Sequence, residues 1–447
     1  MGDMLKLVQR FTLPPISNFG TLPMTSRIQE NATSGVTLAA AVARDAADPL
    51  APFRERFDIP PEVIYLDGNS LGVLPKGVAE RVAKSVASEW GTGLIRSWNA
   101  AGWIDLPRHV GARIAPLVGA EPDCVVAADS TTVNLFKVVS AAVSLRPERT
   151  KIVTETRNFP TDNYIAEGVI RQCGNRHRLV HVDRPQDIAA AIDDDTAVLM
   201  LTHVNYRDGS LHDMAGLTRA AHDEGALVVW DLAHSAGALA VDLAGCNADF
   251  AVGCGYKYLN GGPGAPAFLY VAPRHHGGFR QPLSGWFGHR DPFEFTPQYD
   301  AAGDIGQYLC GTPPVLSMVA LDAALDVWDG VNITALRAKS QALTGYFIEL
   351  VETRCAGHGL TLISPRDPEA RGSQVSFTHA QGGYAIISAL IADGVIGDFR
   401  APDVLRFGFT PLYTSFADVW HAVDRMAAIL DEHRWDKPEF HARKAVT

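Results

Sequence analysis

The stretch Ala226-Leu-Val-Val-Trp-Asp231-Leu-Ala-His234-Ser-Ala-Gly237 decides the fold. Its unbroken apolar run suits a strand buried on both faces, as in the parallel sheets of α/β proteins. An acid closes the run at the strand's carboxyl end, where open α/β sheets place their ligands. A carboxylate buried there must find a cation or a hydrogen-bond donor, because leaving it unpaired is costly. Capping of the following turn, with Asp231 bonding backbone amides, is the alternative reading.

Outward from this stretch, short apolar or β-branched runs recur at Cys124–Ala128, Lys151–Thr154 and Ala197–Thr202. Longer segments of helical period, such as Thr131–Val143 and Met214–Glu224, separate them. Strands alternating with helices in this way predict βαβ units and a mainly parallel sheet with helices on both faces. Ala267–Val271 predicts a further strand and Arg274–Gly311 a loop-rich insert, after which Pro313 and Pro314 open a long helix leaving the domain. Strand, helix, strand and helix then follow at Gln374–Thr378, Tyr384–Asp393, Val404–Phe407 and Ser415–Leu430. The expected organisation is a loose extension over 1–35, a large α/β domain over 81–315, and a smaller α+β domain from 36–80 and 316–447.

Composition removes several function classes. The 447 residues are 47% hydrophobic and 20% charged, which argues against disorder, collagen and coiled coil together. Lys plus Arg number 39 against 50 Asp plus Glu, a formal charge of −11 that repels phosphate backbones and anionic lipid. Neither a nucleic-acid nor a membrane partner is expected, and no apolar run reaches the ~18 residues of a spanning helix. The six cysteines form no CxxC pair, so neither a disulfide framework nor a zinc ribbon is indicated, and a reducing cytoplasm fits.

The chemistry begins at Lys257, 26 residues after Asp231, where Tyr256-Lys257-Tyr258-Leu-Asn-Gly-Gly-Pro-Gly264 follows a short apolar run. Apolar and aromatic neighbours disfavour an ammonium by desolvation, which makes a nucleophilic amine of Lys257; a snorkelling surface lysine is the alternative. A strand-end aspartate and a downstream lysine in a Gly-rich turn are together what pyridoxal phosphate needs. The lysine holds its aldehyde, and the aspartate keeps its ring nitrogen protonated as an electron sink. Two further pieces fit the same cofactor. Asp129-Ser130-Thr131-Thr132 precedes a helix whose N-terminus can hold a phosphate dianion, although Ser130 as a plain N-cap explains it equally well. Phe159 in Asn158-Phe-Pro-Thr-Asp162 can stack on an aromatic ring while Asp162 reaches its polar edge; taken alone, Phe159 also reads as core.

At this point the chain resembles the kynureninase family. The resemblance rests on Tyr65-Leu-Asp-Gly-Asn-Ser-Leu-Gly72, Leu94-Ile-Arg-Ser-Trp98-Asn, Asn158-Phe-Pro-Thr-Asp162, Thr202-His-Val-Asn-Tyr206, Trp230-Asp-Leu-Ala-His-Ser-Ala-Gly237, Tyr256–Gly264, Leu283-Ser-Gly-Trp-Phe-Gly-His289 and Arg406-Phe-Gly-Phe-Thr-Pro-Leu-Tyr413, in this order. It implies an α/β, fold-type-I pyridoxal-phosphate-dependent architecture, with a mostly parallel central sheet in the large domain and a smaller α+β domain. It also implies a homodimer with active sites at the subunit interface. By motif, Lys257 would bond pyridoxal 5′-phosphate, Asp231 would pair with its ring nitrogen and Phe159 would stack on its ring. Thr131, Thr132, Tyr256, Trp286 and Thr312 would bind its phosphate, the last two from the partner subunit, while Asp162, Thr202 and His234 would line it. Arg406 would clamp the substrate carboxylate, a bidentate task that lysine does less well.

The implied reaction is hydrolytic Cβ–Cγ cleavage of L-kynurenine to anthranilate and L-alanine, in tryptophan catabolism. Lys257 would move the α-proton and Tyr256 is a candidate proton donor to the departing carbon. In members of the family that favour the 3-hydroxy substrate, the place of Thr312 resembles an asparagine, with a histidine near Gly91–Gly93; Trp98 and Thr312 here give no obvious donor pair for a ring hydroxyl, so the resemblance implies a preference for plain kynurenine. Three other readings remain. A cysteine desulfurase or class V aminotransferase would share Asp231 and Lys257, with Cys310 and Cys355 the closest thiol candidates. A non-catalytic scaffold would not need Lys257, Asp231 and Arg406 at once. A metal hydrolase built on His203, His212, His222 and His234 has spacings of 9, 10 and 12 residues, which match no common ligand pattern.

Overall fold

The computed structural model describes residues 36–443; the expected extension over 1–35 lies outside them. Seven strands form the central sheet: β1 (Val125–Ala127), β2 (Lys151–Glu155), β3 (Arg178–Val182), β4 (Thr196–Thr202), β5 (Leu227–Asp231), β6 (Phe250–Cys254) and β7 (Ala267–Val271). Their order is β1-β7-β6-β5-β4-β2-β3. Every neighbouring pair is parallel except those made by β7, which runs against both β1 and β6.

The apolar runs are continuous because each strand feeds two cores, one residue to each face in turn. Val198, Met200, Leu227, Val229 and Val252 enter one core with Leu135, Val138 and Val139 of the helix Thr131–Ser144. Leu199, Leu201, Val228, Trp230 and Ala251 enter the other, with Val110 and Ile114, Met214 and Ala221, and Met318 and Leu321 from three further helices. Helices thus cover both faces of the sheet, and the ligand side is left at the strands' carboxyl ends.

The helix opened by Pro313 and Pro314 is shorter than the sequence suggested. It spans Val315–Ala324, tightens to a 3₁₀ turn over Leu325–Trp328, and stops at Gly330, whose φ of 78° is left-handed. Its Met318, Val319 and Leu321 belong to the large-domain core. The helix that crosses into the small domain is a second one, Ile333–Arg354, capped by the Asn332 side chain on the Ala335 amide.

The small domain is an antiparallel sheet under helices. Its strands β8 (Thr361–Leu362), β9 (Gln374–Thr378), β10 (Asp398–Arg400) and β11 (Val404–Gly408) lie in the order β10-β11-β9-β8. Its core joins Leu343, Phe347 and Leu350 to Phe377, Leu405 and Phe407, and to Val419, Val423 and Met426 of the helix Phe416–Asp431. The register of β10 on β11 sets Asp398 opposite Arg406. A parallel bridge from Asp67 to Gly408 ties the Tyr65–Gly72 segment to this sheet, and the Gly72 amide bonds the Tyr256 carbonyl beside Lys257. That segment therefore joins the two domains at the ligand side.

Candidate active site

Four strands deliver the site. β5 ends on Asp231, β6 leads into Lys257, β4 ends on Thr202, and β2 leads into Asn158, Phe159 and the helix carrying Asp162. Lys257 Nζ lies 3.0 Å from His234 Nε2. Burial, aided by the charges of Arg406 and Arg400, lowers the proton affinity of Lys257, against the opposing pull of Cys254 and Asp231. Burial and the Lys257 charge push the proton affinity of His234 far down, which disfavours its imidazolium form beside the lysine. The sequence-level reading of Lys257 as a desolvated amine thus has a structural cause.

Asp231 and Asp162 are almost wholly buried, at 4% and 1% exposure. Asp231 Oδ1 accepts the Ala233 amide at 2.7 Å. Neither oxygen of Asp162 meets a hydrogen-bond partner, nor does His234 Nδ1. Burial raises both carboxyls, and the Asp231 charge raises Asp162 further while Lys257 pulls each of them down. Two buried carboxyls that feel each other's charge resist ionising together unless a donor or a cation stands near them.

The arginine side of the site is denser than the sequence suggested. Arg406 is 1% exposed. Its Nε donates to Asp398 Oδ1 at 2.8 Å, Nη2 to Asp398 Oδ2 and to Ser70 Oγ at 2.8 Å, and Nη1 to the Tyr206 carbonyl at 2.7 Å. Four of its five N–H groups are committed, leaving one on Nη1. Arg400 adds a 2.6 Å bond to Asp398 Oδ2, and burial with the Asp398 charge pushes Asp67 up to about 7. Ser70, Asp398, Arg400 and Asp67 were not singled out by the sequence reading. The signal was present: Asp398-Phe-Arg400, a turn at Ala401-Pro402-Asp403 and then Val-Leu-Arg406 spell a hairpin that places acid and base face to face.

The remaining expected residues fall into two groups. The Thr131–Ser144 helix presents its N-terminus beside the site, with Ser130 Oγ capping the Val133 amide at 3.3 Å and the Thr132 side exposed. Phe159 is 42% exposed and rests edge-on against Tyr206, ring centroids 5.2 Å apart. Thr202 Oγ1 donates to the Val204 carbonyl, and the Tyr256 ring lies 5.8 Å from Lys257 Nζ. Trp98 and Trp286 meet edge to face at 6.2 Å, in an aromatic cluster with Trp103, Phe287 and Phe293. Thr312 is exposed just before Pro313. Among the described residues, no hydrogen bond or ring contact joins Trp98, Trp286 or Thr312 to the Lys257 group.

The four histidines weighed as metal ligands are divided. His212 pairs with Glu155, His222 with Asp249, and His234 with Lys257, while His203 lies edge-on against Trp230. No group of three or more ligand-type side chains that could hold a metal occurs among the described residues.

Comparison with known proteins places this constellation. A family model for the kynureninase C-terminal domain matches residues 336–426. Curated kynureninases from Burkholderia mallei and Pseudomonas fluorescens are each 54% identical, over 91% of this chain and 99% and 98% of theirs. The chain belongs to the kynureninase family. Solved cysteine desulfurases from Thermococcus onnurineus and Escherichia coli share the fold at 20% identity, with TM-scores of 0.72 and 0.70 over 85% and 86% of the chain and 98% of theirs. That likeness reaches the architecture alone, and the family assignment displaces the desulfurase reading. The two thiols named for it are ill suited as well: burial raises Cys310, and raises Cys355 to about 12.

Kynureninases are pyridoxal-phosphate-dependent hydrolases of carbon–carbon bonds. The side chains present fit that group. An aromatic nitrogen carrying a proton would give these buried carboxyls a further donor, a lysine whose proton affinity burial lowers suits an aldehyde, and a helix N-terminus suits a phosphate. No helix of the described residues is long and apolar enough to cross a membrane.

Proposed function

We propose that the Lys257 group binds pyridoxal 5′-phosphate and hydrolyses the Cβ–Cγ bond of L-kynurenine, giving anthranilate and L-alanine. The observation that carries this reading is a buried lysine 3.0 Å from His234, with two buried carboxylates acting on it, Asp231 at the end of β5 and Asp162 in the first turn of the helix that follows β2. When bound, the cofactor withdraws electrons from the carbons next to the amine it holds.

The chain's own residues supply the rest. Asp231 would pair with the proton on the ring nitrogen, and Asp162, buried near it, would line the same group. Phe159 would offer its open face to the ring, His234 and Thr202 would line it, and Thr131, Thr132 and Tyr256 would hold the phosphate together with the helix N-terminus. Lys257, its proton affinity lowered, takes the α-proton of the substrate and returns it. Arg406 receives the α-carboxylate on its Nη1 edge, where one N–H is unclaimed. Water adds to the side-chain ketone, the Cβ–Cγ bond breaks, the aryl part leaves as anthranilate, and Tyr256 protonates the β-carbon. Burial holds the Tyr256 phenol above its usual range, which keeps it protonated for that task.

Among the described residues, no hydrogen bond or ring contact joins Trp286 or Thr312 to the Lys257 group within one chain, as expected of a homodimer in which a second copy brings them to the phosphate. The motif reading also sets Trp98 and Thr312 at the aryl end, where they would favour kynurenine over its 3-hydroxy form; as neither meets the Lys257 group among the described residues of one chain, this too would need the second copy. A cytoplasmic role in tryptophan catabolism follows from the same reading.

Anthranilate fluorescence on adding L-kynurenine to the cofactor-supplemented protein tests the reaction. Lys257→Ala should abolish both the fluorescence and the visible band of lysine-bound cofactor. A band without anthranilate would refute the substrate, and no band would refute the site. Equal kcat/KM for both substrates would remove the preference, and a fully active monomer by light scattering would remove the shared site.

A further inference from the structure

The β10–β11 hairpin does more than expose an arginine. Asp398 stands directly across from Arg406, 4% exposed, and grips the guanidinium on its Nε–Nη2 edge. A side-on carboxylate of this kind fixes the plane of the guanidinium as well as its place. The opposite edge then points Nη1 at the Tyr206 carbonyl, and the Tyr206 ring packs on Phe159 at 5.2 Å. Arg406 is thereby aimed at the face where the proposed cofactor lies. Asp398 Oδ2 is also shared with Arg400 at 2.6 Å and Ser70 Oγ at 2.8 Å, so three donors converge on one oxygen while Oδ1 serves Arg406.

We propose that Asp398 is a positioning residue for the substrate carboxylate: by holding one edge of Arg406 it turns the Nη1 edge toward the ligand. The proposal rests on the reading of Arg406 as the carboxylate clamp. Without the grip, a buried guanidinium would rotate toward whichever carbonyls satisfy it, and the ligand would have to reorder it on binding.

Asp398→Asn preserves size and one acceptor oxygen. Its amide N–H₂ would face the N–H groups of Arg406 and Arg400, so Nη2 would lose its carboxylate partner and keep only Ser70 Oγ. We expect KM for L-kynurenine to rise on the order of tenfold, the size of one lost charge-assisted bond, with kcat changed less than about threefold. The dissociation constant of L-alanine, read from the visible absorbance of the holoenzyme, should rise in parallel. Asp398→Glu keeps the charge and displaces it by a methylene; because position is what matters, it too should raise KM. Thermal midpoint and cofactor content are measured on the same samples. Unchanged KM and alanine binding in both variants, or a loss of stability and cofactor alone, would overturn the proposal. Arg406→Gln separates the two readings: if it leaves KM unchanged, the clamp itself is wrong. If it raises KM while both Asp398 variants do not, only the positioning role falls.

Discussion

Asp162→Asn should stabilise the cofactor-free protein and weaken the cofactor-bound one. Asp162 is 1% exposed, and neither of its oxygens is hydrogen-bonded. A buried polar group without a partner costs about 1–3 kcal/mol. The introduced amide removes a charge that Asp231 opposes and can donate to the Asp231 carboxylate, so most of that cost should be recovered. With an unfolding entropy of about 2.1 cal/mol/K per residue over 447 residues, a gain of ~1–3 kcal/mol raises the midpoint by roughly 1–3 °C.

The pH dependence carries a sign. Burial and Asp231 raise the Asp162 carboxyl, so between the unfolded value of about 3.9 and its folded value the native state holds the extra proton. Stability contributed at low pH is then lost as pH rises through that window. The gain from Asp162→Asn should accordingly be larger at pH 8 than at pH 4. Differential scanning calorimetry of cofactor-free and cofactor-loaded protein at both values checks this, the loaded form gaining less than wild type from added cofactor. A variant equally destabilised in both forms, or one with no pH trend, would refute the argument that the carboxyl is kept for the cofactor.

Asp249, 1% exposed at the amino end of β6, accepts from His222, His275, Arg274 and the Val228 amide at 2.7–2.8 Å. Burial opposes its ionisation, but His222, His275, the Val228 amide and the Arg274 charge outweigh burial and hold the carboxyl low, so its contribution is present above pH 4 and fades under acid. Asp249→Asn should cost about 3–5 kcal/mol, a midpoint drop of roughly 3–5 °C, with kcat at saturating cofactor unchanged. Gly72→Ala would set a Cβ 2.3 Å from the Lys257 carbonyl and 2.6 Å from Asn260 Cα; both are backbone, so we expect loss of cofactor binding by equilibrium titration. Phe159→Leu, at a 42% exposed position, should leave the cofactor-free midpoint within ~0.5 kcal/mol of wild type. The same change should weaken cofactor binding by about 2- to 12-fold, the worth of a stacked ring at ~0.5–1.5 kcal/mol.

How far the sequence could be read depended on whether a property is local. The central strands were legible because burial on two faces leaves an apolar run that needs no partner to be seen, and Asp231 and Lys257 stood out against those runs. The helix after Pro314 was overextended because its apolar pattern continues through Val327 while the break depends on the backbone at Gly330. His234 was named, but its bond to Lys257 is a contact between residues 23 apart in the chain and leaves no local mark. Ser70 and Asp398 were missed for the same reason. Ser70 reaches Arg406 across 336 residues, and a serine among glycines or an acid in a short strand has many ordinary explanations.

The missed residues and the legible ones differ in what the fold asks of them. Asp231, Lys257 and Thr202 extend from strands whose cores set them rigidly, so their geometry follows from the sheet. Arg406 comes from the other domain, on a small sheet with its own core, and could not be aimed by the central sheet. Its direction is fixed instead by side chains: Asp398 across the hairpin, Ser70 from the segment that bridges the domains, and the Tyr206 carbonyl from the large domain. Three buried carboxylates and two arginines would be a poor way to stabilise a fold, since such groups seldom outperform apolar packing of the same volume. Their concentration where two domains meet makes sense if the chain must hold charges at set positions on both sides of a ligand. Most of the stability is then left to the apolar cores and to remote anchors such as Asp249.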